Sequence, residues 1–213
     1  MELQEENFHC AGIMSFDFGP NPIYQELIEL VEGANRLTPA KVYATGSSVG
    51  EVDKKIRDSW TCKDISELEL EYPQILKLEE HLHEMMRITS ERYMIKHKFN
   101  YLDAFDFLQF LKYGVGGKYN VHVDQHTDDR ECSLMIYLNT VKDGGETYFP
   151  YYYDKTGNPI KIKAKEGRVL IFNCGHSAFH AGLPVKSGTK YTIYTFLCQD
   201  DQSNKQNRIY NIT

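Results

Sequence analysis

From Phe105 onward the chain breaks into short runs: FDFLQFLKYG, KYNVHVD, CSLMIYLN, GETYFP, IKIKAKEG, RVLIFN and KYTIYTFLCQ. They alternate in polarity or are rich in β-branched and aromatic residues, and Gly, Asn, Asp and Pro separate them, which marks them as strands. Their regular spacing and turn signals predict an antiparallel sandwich or barrel. The first half reads differently. Asn21 can cap a helix with Pro22 at its first position. Ile23, Leu27, Leu30, Val31 and Ala34 then share one face. Pro73 opens a longer helix in which Ile75, Leu78, Leu82, Met85, Met86 and Tyr93 recur at helical spacing. Two amphipathic helices need a core to lie on. The expected architecture is therefore mostly β with buttressing helices (α+β).

The chain has 213 residues, 41% hydrophobic and 25% charged. That is an ordinary globular composition, long enough to bury a core without staples. A single domain over 1–213 is expected: a helix-rich support over 1–104, a β core over 105–198 and a tail over 199–213. The net charge of −6 argues against a nucleic-acid partner. Cys10, Cys62, Cys132, Cys174 and Cys198 are scattered, odd in number and form no C-x-x-C pair. A disulfide framework is not expected, and a reducing, cytoplasmic or otherwise intracellular setting fits. No basic segment followed by an apolar run opens the chain, and no stretch nears the roughly 18 apolar residues of a membrane span. No membrane partner is expected.

Within KYNVHVD, His122 and Asp124 are two residues apart. Residues so spaced on a strand point to the same side. A facial metal site with two histidines and one carboxylate needs one more imidazole. His176 and His180, in NCGHSAFHAGLPVKSGTKY, are both candidates. If His180 sits at a barrel mouth, Lys190 begins the adjacent strand and can project inside. A cation buried there is costly unless an anion pairs with it, and a dicarboxylate co-substrate would supply one.

These stretches together resemble the iron(II)- and 2-oxoglutarate-dependent oxygenases, within them the prolyl 4-hydroxylase-like group. LKYGVGGKYNVHVD resembles the strand and loop leading to the first two metal ligands, and LMIYLNTVKDGGETYFP the hairpin that follows. GRVLIFNCGHSAFHAGLPVKSGTKY resembles the segment with the last ligand and the 2-oxoglutarate lysine. Arg57 and Ser59, in IRDSW, echo an R-x-S segment of the group. The resemblance implies a double-stranded β-helix (jelly-roll) core. It implies Fe(2+) at His122, Asp124 and His180, and 2-oxoglutarate paired with Lys190, helped by Tyr113 and Thr147. It places Tyr119, Arg130 and Phe196 near the substrate. It favours His180 over His176 through the A-G-L-P-V tail and the step to Lys190. Val121 stands where the group often has Pro, and Phe196 where it has Trp. Both departures fall near the expected substrate.

The implied reaction consumes O2 and 2-oxoglutarate, releases succinate and CO2 and hydroxylates a C–H bond, with ascorbate as reductant. The expected partner is a protein or peptide containing proline. The alternatives are another side chain, a free amino acid or a nucleobase as target, and, in a different class, a non-catalytic cupin-like metal-binding module. A cytosolic and a viral origin both fit. His126 reads as a loop residue, His81 and His83 as solvated, Tyr148 and Tyr151 to Tyr153 as loop aromatics, and the Gly116-Gly117 and Gly144-Gly145 pairs as turns. Residues 124–131 and 150–159 are expected as flexible covers of the site.

Overall fold

The computed structural model describes residues 2–43, 49–98, 104–124, 130–175, 178–198 and 210–211. Among them, two antiparallel sheets face each other. The larger has ten strands. Its main path runs Glu5–Cys10, Ile13–Asp17, Arg168–Asn173, Arg130–Tyr137, Lys190–Cys198, Gln109–Tyr113, Trp60–Cys62 and Thr38–Pro39. The smaller, five-stranded sheet runs Pro159–Ile162, Thr147–Tyr153, His180–Gly182, Lys118–His122 and Arg57–Asp58. This is the double-stranded β-helix with flanking helices that the strand pattern and the resemblance lead one to expect.

The side-chain period of two explains the two cores. On Arg130–Tyr137, Cys132, Leu134 and Ile136 face the helices, packing with Met14, Phe16, Val169 and Ile171. Met135 and Tyr137 face the other way, with Leu170, Phe172 and Phe149 of the inter-sheet core. Ser133 shares their parity and is fully buried. Strands buried on both faces read as nearly continuous apolar runs, as CSLMIYLN does.

The helix Pro22–Gly33 starts as expected: Asn21 Oδ1 accepts from the Ile23 amide at 3.1 Å. Tyr24, Leu27, Ile28, Leu30 and Val31 are its buried face. The second helix, Ile75–His97, begins two residues after Pro73 and ends on Lys98, whose φ of 56° is left-handed. His81 and His83 are half-buried on it rather than solvated, because the helix lies along the sheet. Burial lowers the His83 pKa to about 4.

The segment before residue 105 does more than buttress. Ile13–Asp17 pairs with Arg168–Asn173 in the larger sheet, and Arg57–Asp58 pairs with Lys118–His122 in the smaller. FDFLQFLKYG is split into Ala104–Phe105 and Gln109–Tyr113, both paired with Lys190–Cys198. Tyr151 to Tyr153 extend a strand, and the turn after them is tied. The Asp154 carboxylate accepts from the Thr156 and Asn158 amides and the Thr156 hydroxyl at 2.6–3.0 Å. Residues 150–159 thus form a closed hairpin instead of a loose cover. His126 and His176 lie outside the described residues, as does most of the 124–131 loop. No helix among the described residues is long and apolar enough to cross a membrane.

Candidate functional site

His122 ends one strand of the smaller sheet, and His180 begins the strand beside it. The two are register partners. An irregularity between Tyr119 and His122 inserts one residue opposite Gly182–His180. Such a bulge re-aims side chains. Here it lets Tyr119 and His122, three apart, stack with ring centroids 3.6 Å apart. Asp124 follows the strand end and turns to the same point. Its Oδ1 lies 3.4 Å from His122 Nε2, and its Oδ2 3.3 Å from His180 Nε2. The donor atoms of the three residues lie within 4.8 Å of one another.

The histidines are oriented by backbone. Nδ1–H of His122 donates to the Asn120 carbonyl at 2.8 Å, and Nδ1–H of His180 to the Ala178 carbonyl at 3.1 Å. That fixes the tautomer and turns both Nε2 lone pairs inward. Burial lowers the His180 pKa to about 4, against the opposing pull of Asp124, so the ring is neutral at pH 7. Burial works against the Asp124 charge, yet His180, His122 and the Ser133 hydroxyl outweigh it and hold the carboxyl well below the usual range. Two imidazoles and one carboxylate, with no thiolate, are a donor set suited to a first-row divalent metal such as iron(II).

Two hydroxyls that sequence reading missed support Asp124. Ser133 Oγ donates to Oδ2 at 2.6 Å, and the Tyr194 phenol donates to the same oxygen. Both stand on strands of the larger sheet and face the lumen. Their signal in sequence is slight: single hydroxyl residues inside largely apolar strand runs.

Lys190 starts the strand Lys190–Cys198 opposite Tyr113. It is 3% exposed, and its Nζ donates to the Gly145 carbonyl at 2.9 Å. The rings of Tyr113 and Tyr137 lie 5.4 and 5.3 Å from it. No carboxylate pairs with it among the described residues. Burial pushes its pKa down to about 8, with Glu146 opposing. Gly144 and Gly145 both have positive φ, 75° and 73°, and a Cβ on Gly144 would meet the Pro184 carbonyl at 2.2 Å. The glycine pair is not the expected turn: Gly144 ends the strand Asp143–Gly144, which pairs irregularly with Val185–Ser187, and this aims the Gly145 carbonyl at the ammonium. Thr147 Oγ1 and the Tyr137 phenol are 2.7 Å apart nearby.

His122, Asp124, His180, Lys190, Tyr113, Thr147, Tyr119, Arg130 and Phe196 all line one cavity of about 830 Å³. The Arg130 guanidinium lies 3.7 Å above the Phe196 ring and pairs with Asp106 at 2.7 Å. Arg57 covers the outer face of Tyr119 at 4.6 Å. Val121 does not join them. It is 49% exposed, because it alternates with His122 and points away from the lumen. Tyr151 and Tyr153 are also outside the cavity, exposed on the smaller sheet. Tyr151 packs edge-on against Phe179.

The 2OG-Fe(II) oxygenase superfamily matches residues 108–198. The chain is 28% identical over 116 residues to "Probable prolyl 4-hydroxylase 9" of Arabidopsis thaliana, covering 43% of this chain and 40% of that protein. It is 33% identical over 103 residues to "Prolyl 4-hydroxylase subunit alpha-3" of Rattus norvegicus, covering 40% of this chain and 18% of that protein. The chain thus spans less than half the length of these curated relatives. Among solved structures it resembles a prolyl hydroxylase from Trichoplax adhaerens, in complex with a hypoxia inducible factor oxygen degradation domain peptide fragment. That match has a TM-score of 0.66 at 16% identity, covering 92% of this chain and 88% of the other. Over residues 108–198 the chain is thus similar to the 2OG-Fe(II) oxygenase superfamily, and the relatives it matches are prolyl 4-hydroxylases.

Proposed function

We propose that this protein is an iron(II)- and 2-oxoglutarate-dependent dioxygenase that hydroxylates a peptidyl proline. One observation carries the reading: a His-Asp-His donor set and a buried ammonium without a carboxylate partner among the described residues line the same cavity. The prolyl 4-hydroxylase relatives, and the peptide held by the Trichoplax adhaerens neighbour, favour proline in a peptide as the target.

Iron(II), held by His122, Asp124 and His180, would supply the O2 chemistry by which 2-oxoglutarate, O2 and C–H become succinate, CO2 and C–OH. The chain's own part is placement. The Nδ1–H bonds to backbone carbonyls keep both Nε2 atoms available as ligands. Ser133 and Tyr194 hold Oδ2 of Asp124 and so fix the plane of its carboxylate. The Lys190 ammonium pairs with the distal carboxylate of 2-oxoglutarate. That replaces the solvation it lost on burial, and this favours the anion over a neutral ligand of the same size. Tyr113 and Thr147 complete that end of the cavity. Tyr119, Arg130 and Phe196 face the substrate, and the apolar walls Leu111 and Met135 exclude water.

The test is incubation with iron(II), 2-oxoglutarate, ascorbate and proline-containing peptides. A gain of one oxygen atom on proline, matched by succinate, is the expected result, and Asp124→Ala abolishes it. Lys190→Ala raises KM for 2-oxoglutarate on the order of a hundredfold, the loss of a desolvated charge pair. Succinate release that ignores iron chelation, or hydroxylation on a residue other than proline, would sink the reading.

A further inference from the structure

The cavity is lined by Lys41, Arg57, Lys63, Arg130 and Lys190, yet by one carboxylate among the described residues, Asp124. This is a concentration of positive charge on a chain whose net charge is −6. Two of the five cations have a task inside the site: Arg130 pairs with Asp106, and Lys190 sits at depth. The other three stand nearer the opening. Lys41 and Lys63 are exposed, and Arg57 is half-buried. Arg57 donates to Ser59 Oγ at 3.2 Å and to the Lys41 carbonyl at 3.4 Å, and Lys63 lies 5.6 Å over the Phe107 ring. No ion pair among the described residues uses any of these three. Tyr43, Phe107 and Tyr119 share the wall with them. The outer cavity therefore offers aromatic surface interleaved with positive charge that no carboxylate among the described residues takes up.

We propose that this outer cavity selects a peptide with acidic residues flanking the hydroxylated one, Lys41, Lys63 and Arg57 supplying the recognition. The inference rests on the peptide-hydroxylase reading above and adds the substrate's charge to it. Cations lining a cleft with low-dielectric walls raise the local concentration of an oppositely charged partner and speed its encounter. A nucleic acid would find the same cations. The negative charge of the whole molecule opposes a long polyanion far more than a short peptide with a few carboxylates.

The experiment compares peptides built around one proline, flanked by Asp and Glu, by Ala, or by Lys, with the full chain, iron(II) and 2-oxoglutarate. The expected order of kcat/KM is acidic, then neutral, then basic, with about tenfold between the first two, the sum of a few modest exposed pairs. The advantage shrinks as salt shortens the screening length. A Lys41→Glu, Lys63→Glu variant inverts the order, and both positions are exposed, so the fold tolerates the change. Equal rates for acidic and neutral peptides, or an order that the double variant keeps, would overturn the inference and leave prolyl hydroxylation standing. If no peptide of any charge releases succinate above the peptide-free rate, the parent reading fails and this one with it. Oxidation of a single-stranded oligonucleotide in place of every peptide would assign the cations to phosphates instead.

Discussion

Both hydroxyls on Asp124 meet the same oxygen, and this makes Tyr194 a testable positioning residue. Hydrogen bonds behind a ligand are worth roughly ten- to a hundredfold in metal affinity. Tyr194→Phe should therefore weaken metal binding by about tenfold while leaving the strand and its pairing intact. Titration with iron(II) or manganese(II), alongside a circular dichroism spectrum, separates the two effects. A variant that binds metal as tightly as the parent would show that Ser133 suffices. Lys190 gives a second expectation. Its pKa is lowered to about 8, and only the ammonium attracts a carboxylate. Affinity for 2-oxoglutarate is thus level below about pH 8 and declines above it, by roughly tenfold per unit. A profile of kcat/KM for 2-oxoglutarate against pH reads it directly. A curve level up to the ordinary lysine range would mean that the side chain stays charged throughout. At this scale the three residues that converge, His122, Asp124 and His180, were legible and their supports were not. His122 and Asp124 stand out by their spacing of two, and Lys190 by its place in the segment that resembles the family. Ser133, Tyr137 and Tyr194 look like any strand residues until the register brings them to the lumen.

At the scale of elements, the strand Ile13–Asp17 is pinned to Arg168–Asn173 by a clamp at its end. Asp17 is 1% exposed; Arg168 reaches its two oxygens at 2.6 and 2.8 Å, and Lys165 donates at 2.7 Å. Burial would raise the Asp17 pKa, but these partners outweigh it and lower it. The sign follows. The clamp stabilises fully above the unfolded aspartate's pKa of about 4 and is lost as pH falls below that through the lowered folded value. Asp17→Asn should cost about 2 kcal/mol in urea unfolding at pH 7, because it leaves half-buried Arg168 without its anion. The difference from the parent should narrow in acid. Nothing in the sequence joins Asp17 to Arg168. The local signals were better: Asn21-Pro22 as a helix start and the strand runs match the structure, whereas Gly144, expected in a turn, ends a short strand. Boundaries drifted where tertiary pairing decides, as with Tyr151 to Tyr153, which continue a strand because Pro159–Ile162 lies beside them. The N-terminal strands were missed for the same reason. A short hairpin alone is marginal, and only its distant partner makes it a sheet edge.

At the scale of the molecule, the three donors that could hold a metal, His122, Asp124 and His180, come from the smaller sheet and the strand end after it. Lys190, Tyr194 and Ser133 stand on the larger sheet. Ligands that bind only this assembled arrangement stabilise it by mass action. Anaerobic iron(II) with 2-oxoglutarate, each at about a hundred times its dissociation constant, should raise the melting temperature by about 10–20 °C. Asp124→Ala should remove the iron-dependent part of that shift. The pairing of Asp17 with Arg168 closes a contact across 151 residues of chain. The residues between must therefore all be made before the Glu5–Asp17 hairpin can find its neighbour in the sheet, and in the interval that hairpin's open edge is exposed to other chains. Refolding from denaturant should accordingly be slow for the size, on the order of milliseconds to seconds, and should lose yield as protein concentration rises.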